Sequence, residues 1–194
     1  MQYEVIDAVG ANGVRLRLEF VWRNDRFVQG ISIIRTSGFA LPVLQSIEGS
    51  PHADWPPSPP FQSVSITELT DGRAAALLVG MAGGSHWSAS IEALKDEATL
   101  RFDVACRIHG LSRGLGNRYS CHTDDTRVYV AADESYAEIR GKDASVIIVP
   151  DRSLSKLSGE VAGQIGIVPI EETKPNTQTV RWKFDVLVRE EVGR

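Results

Sequence analysis

Apolar and polar residues alternate along much of this chain, most strictly between residues 86 and 108. Trp87, Ala89, Ile91 and Ala93 share a side with Leu100, Phe102, Val104, Cys106 and Ile108; His86, Ser88, Ser90 and Glu92 share the other with Arg101, Asp103 and Arg107. A period of two belongs to a β-strand with one buried face. The pattern therefore predicts a hairpin with one apolar and one reactive surface. With Asp96-Glu97 at its tip, Ile91 lies opposite Phe102, Trp87 opposite Cys106, Glu92 opposite Arg101, Ser90 opposite Asp103 and His86 opposite Arg107. A two-residue slip would keep the faces and change every partner.

The same signal predicts strands at residues 3–9, 14–22, 27–35, 63–69, 74–79, 127–131, 136–140, 144–149, 164–169 and 180–189, separated by turn-forming residues. Asn12-Gly13, read as a two-residue turn, would pair Val5 with Phe20. Residues 17–23, 101–107 and 183–189 repeat the order basic, apolar, acidic, apolar, any, apolar, basic. A duplicated hairpin would produce that order, and so would any half-buried strand.

Regularity fails in two places. Residues 37–62 hold a loop in which five of the chain's nine prolines lie between Pro51 and Pro60. It is expected either to pack across the sandwich edge with Trp55 as its anchor or to touch a ligand. Residues 109–126 form a second loop, rich in Gly and Arg. One short helix is expected within 151–162, where Ser153 and Ser155 can cap it and Gly159 and Gly163 limit it. The resulting expectation is a single all-β domain over residues 1–194, an antiparallel β-sandwich of two large sheets. In size and meandering strands it is similar to the large sandwiches of carbohydrate-active proteins, a likeness of architecture alone.

Composition narrows the chemistry. A net charge of −4 gives no broad attraction to nucleic acid or anionic lipid, and no apolar stretch is long enough to cross a bilayer. The first residues lack a basic segment followed by an apolar run, so a secretory signal is not expected and the cytoplasm is the expected compartment. Two cysteines are too few for a disulfide scaffold. Cys106, His109, Cys121 and His122 are metal-compatible, but Cys106 points to the apolar side and the adjacent Cys121 and His122 would diverge on an extended segment. Neither a metal nor another cofactor is expected. The loop with Arg113 and Arg118 lacks the Lys-Ser or Lys-Thr ending of a P-loop.

The candidate site is therefore the polar face. His86, Asp103 and Glu92 supply acid–base groups; Ser88, Ser90, Arg107, Arg118 and Trp55 supply ligand contacts. Tyr119 is a further aromatic candidate, whereas Trp22, Trp87 and Trp182 alternate with the core. Two serines on a flat strand lack the sharp turn that activates a nucleophile. The leading expectation is a module that binds a small molecule, with a saccharide as the favoured ligand. A sugar isomerase or lyase using His86 with Asp103 or Glu92 is the second reading, and a homo-oligomer assembled through a sheet surface the third.

Overall fold

The computed structural model describes residues 2–94, 96–110, 114–122, 127–140, 144–159, 163–171 and 177–190. Fifteen strands and no helix occur among them: β1 (Tyr3–Val9), β2 (Arg15–Arg23), β3 (Arg26–Ile34), β4 (Ala40–Ser46), β5 (Phe61–Glu68), β6 (Ala74–Ala82), β7 (Ser85–Ala93), β8 (Thr99–Ile108), β9 (Asn117–Cys121), β10 (Arg127–Val130), β11 (Ala137–Arg140), β12 (Ala144–Pro150), β13 (Ser155–Ser158), β14 (Gln164–Pro169) and β15 (Gln178–Glu190). No described helix is long and apolar enough to cross a membrane. A seven-stranded sheet runs β1-β2-β3-β4-β9-β14-β13 and an eight-stranded sheet runs β10-β11-β12-β15-β8-β7-β6-β5. Every pairing is antiparallel, and the two sheets pack face to face as a β-sandwich.

Alternation decides the core. Leu16, Leu18 and Phe20 of β2 and Leu100, Phe102 and Val104 of β8 are all fully buried within one apolar cluster between the sheets. At its centre Phe102 stacks on Phe184, its partner on β15, with ring centroids 4.5 Å apart. Trp87 and Trp182 are likewise buried, and Trp22 packs edge-on against Phe27.

Four expectations need correction. The first hairpin pairs Ile6 with Leu18 and Val5 with Glu19, so Ile6 is the buried residue. Its turn is longer than two residues: Gly10 accepts from the Gly13 N–H, and the Gly10 N–H donates to Val14, with Gly13 at φ 82°. This left-handed glycine shifts the register by one. β4 runs through the expected loop; Pro42, a register shift opposite Ile31/Ser32 and the consecutive buried pair Val43 and Leu44 hide its period. β9 lies in the Gly/Arg-rich stretch, masked by its polar interior residue Asn117. The expected helix at 151–162 is a turn followed by β13. Asp151 accepts from the backbone of Ser153 through its carboxylate, and from Leu154 and Ser155 through its carbonyl. Residues 160–162, 111–113 and 123–126 of these expected segments lie outside the described residues.

The proline-rich loop packs across the sandwich. Arg26, only 3% exposed, donates to the Glu48 and Pro51 carbonyls at 3.3 Å. Ser58 Oγ both donates to and accepts from the Arg118 backbone on β9. At the other sheet, Gly80 leaves no room for a side chain: a Cβ there would lie 2.0 Å from the Pro60 carbonyl oxygen. Gly80→Ala is therefore expected to cost about 1–3 kcal/mol by overpacking, read as a lower urea midpoint. An unchanged midpoint would show that the loop yields freely.

Candidate functional site

The central hairpin holds the expected register. His86 pairs with Arg107, Ser90 with Asp103 and Glu92 with Arg101, and Trp87 with Cys106 on the opposite side. His86 and Ser88 are exposed, Ser90 and Glu92 half-buried, while Trp87, Ala89, Ile91 and Ala93 are buried. The two surfaces are thus separated by a single sheet.

That register also separates the acid–base groups. His86 and Asp103 differ by four positions along the paired strands, about 13 Å, and His86 and Glu92 by six, about 20 Å. Neither carboxylate is within proton-transfer reach of the imidazole. Asp103 is committed elsewhere, since it accepts from Arg181 Nε at 2.6 Å and lies 2.9 Å from Lys183 Nζ. Partial burial pushes its carboxyl upward, but Arg181 and Lys183 outweigh this and hold it below the ordinary carboxylate range. Glu92 accepts from Arg73 at 2.7 Å. The basic–acidic order shared by residues 101–107 and 183–189 now has a physical role: β8 and β15 are neighbours, with Arg101 opposite Asp185 and Asp103 opposite Lys183. Two strands with the same order neutralise each other when antiparallel.

Among the described residues, this pairing leaves Arg107 over. Arg73, Arg101, Arg181 and Lys183 each engage a carboxylate on this face. Among the described residues, no carboxylate forms an ion pair with Arg107. Arg107 lines a cleft of about 310 Å³ together with Gly84, His86, Ile108, His109 and Thr177. The Gly83-Gly84 turn, with φ 53° and 76°, closes β6 onto β7 and sets the rim. The buried Ser85 hydroxyl accepts the His109 backbone N–H at 2.9 Å and carries the outward side of β8 one residue past the strand. A guanidinium and two imidazoles thus share a recess with no described carboxylate in its lining. His109 belongs to this recess rather than to a metal site, because the alternation of β8 extended from Arg107 past Ile108 brings it to the same side.

A second cleft, of about 330 Å³, contains Arg101 and Asp185, but these already bond to each other at 2.9 Å and 3.0 Å. Its other charges are engaged as well, Lys183 with Asp103 and Asp151 with Ser153.

The remaining candidates lie elsewhere. Trp55 packs edge-on against Trp87, centroids 5.8 Å apart, and therefore sits on the core side of the sheet whose other side bears Ser88 and Ser90. It anchors the loop. Arg118 belongs to β9 of the seven-stranded sheet, so it does not join Asp103 and Arg107 on the eight-stranded one. Tyr119, offered as a surface aromatic, is wholly buried and bonds to Gln29 and Asn117. Cys106 is buried in the eight-stranded sheet, where burial pushes its thiol up to about 12; Cys121 and His122 lie on the seven-stranded one, with His122 bonded to Gln45. Both cysteines are free, and no metal-binding group of three forms among the described residues.

One feature escaped sequence reasoning altogether. A polar chain crosses the core: Trp182 donates to Asn117 (2.8 Å), Asn117 to Tyr119, Tyr119 to Gln29, and the Gln29 backbone to Ser46 (2.8 Å), which donates in turn to Glu48. Scattered residues from four strands and a loop build it, and no local spacing signals it.

Compared with protein-family models and with curated proteins, the sequence matches none.

Proposed function

We propose that this chain is a ligand-binding β-sandwich module whose ligand carries a carboxylate or phosphate, held in the cleft by Arg107, His86 and His109. The observation that carries the reading is Arg107, the cation left without a carboxylate on a face where its neighbours are neutralised. A guanidinium presents a planar pair of N–H donors suited to a carboxylate or phosphate edge, and each imidazole can add one more. Ser88 continues the His86 column as an exposed hydroxyl. A hydroxyl beside an anion site suits an acidic saccharide, a sugar acid or sugar phosphate, better than a bare ion. The separation of His86 from Asp103 and Glu92 along the strands supports binding over an isomerase or lyase that would pair them.

Thermal-shift titration tests this, because a ligand held only by the folded chain stabilises it by about 2.7 kcal/mol when present at about 100 times its Kd. Glucuronate and glucose 6-phosphate are expected to raise the Tm of the wild-type chain, and neutral glucose to do so much less. In Arg107→Ala the anion-dependent rise is expected to vanish while the ligand-free Tm stays nearly unchanged. Equal shifts for charged and neutral sugars, or for wild type and Arg107→Ala, would refute the assignment.

A further inference from the structure

We propose that β5 is a self-pairing edge through which two copies of this chain join into one continuous sheet. β5 ends the eight-stranded sheet, paired with β6 on one side only. Gln62, Ser63 and the stretch from Ser65 to Glu68 are exposed, and even Ile66, on the core-facing side, is 36% exposed.

The other edges carry devices that discourage pairing. β1 bears Glu4 and Asp7, β13 is four residues long with Lys156, and β10 has only four residues. Charges and short length are the usual protections of an exposed edge. β5 has eight residues, and from Gln62 to Thr67 it contains no charge, proline or glycine. Its irregularity is confined to the start, between Phe61 and Ser63, where Gln62 bonds through its side-chain amide to both backbone groups of Met81. The rest is straight ladder.

The sequence of β5 also suits itself. Antiparallel pairing about a twofold axis at Ser65 sets Ser65 against Ser65 of the second copy, Val64 against Ile66, Ser63 against Thr67 and Gln62 against Glu68. Hydroxyls meet hydroxyls on the outer side, and β-branched chains meet on the inner side. The strand's one charge meets an amide, so no like charges oppose. A partner of arbitrary sequence would not be matched on both faces by one register.

Ser65 provides the test, since it is exposed and lies on the proposed axis. Sedimentation of the wild-type chain over a concentration series is expected to show a monomer–dimer equilibrium. Ser65→Lys and Ser65→Glu each place like charges against themselves, and each is expected to weaken the dimer at least about tenfold. Mixing the two variants in equal amounts is expected to restore it, because the charges then oppose. Unchanged circular dichroism and Tm of the isolated variants establish that folding is intact. A wild-type chain that remains monomeric to about 500 μM, where a dimer of micromolar Kd would be almost fully formed, overturns the proposal. So does dimerisation of Ser65→Lys at the wild-type strength, or a mixture that fails to recover.

Discussion

Replacing Trp182 with alanine is expected to lower stability by about 3–5 kcal/mol, the range for removing a large buried aromatic. Trp182 is wholly buried on β15, between β8 and β12, and its indole N–H donates to Asn117 Oδ1 at 2.8 Å. Two contributions combine: a cavity between the sheets, and an Asn117 carbonyl left without its donor in a site that is only 1% exposed. Trp182→Phe separates them. It fills most of the volume but still orphans Asn117, at a cost of about 1–3 kcal/mol for an unsatisfied buried acceptor. Urea unfolding measures both. A Trp182→Phe chain as stable as the wild type would mean that the hydrogen bond between the sheets contributes nothing.

The second large effect concerns pH. Burial raises the Glu48 carboxyl from 4.5 to about 7, against the opposing hydrogen bond from Ser46 and the charge of Arg26. Folding therefore retains a proton that the unfolded chain releases. In this window the native state binds more protons, so stability falls as pH rises. The loss begins near pH 4.5, ends near pH 7 and totals on the order of 3 kcal/mol at about 1.4 kcal/mol per pKa unit. Glu48→Gln keeps the shape without the titration. It is expected to flatten the profile between those limits and to stabilise the chain most at pH 8. Chemical unfolding at pH 5, 6, 7 and 8 checks this; parallel profiles for the variant and the wild type would show that Glu48 is solvated at little cost. The slope from Asp103 has the opposite sign and lies lower, because its carboxyl is held below its ordinary range.

The fold was legible where side chains obey a period of two. β7 and β8 were readable down to their partners, because alternation assigns the faces and a hairpin tip at Asp96-Glu97, where Asp96 has φ 59°, selects one register among those that a two-residue slip would allow. Legibility failed where a polar residue stands inside or a bend breaks the count. Asn117 made β9 look like loop, Pro42 disguised β4, and one left-handed glycine displaced the first hairpin. The site was half visible for the same reason. Alternation assigns a residue to a face, and so found His86 and Arg107, but it says nothing about which cation finds a carboxylate. That depended on β15 lying beside β8, a pairing between segments far apart in the chain.

The strand that completes the larger sheet has a consequence for how the molecule comes into being. β15 follows the other fourteen described strands in the chain, yet it sits between β8 and β12 and supplies both Trp182 and Phe184 to the interior. During synthesis, the ribbons on either side must wait, each with an open flank, until that segment leaves the ribosome. Such distant pairing is intrinsically slow, so the ribbons flanking β15 stay unsealed until that strand docks and locks them together.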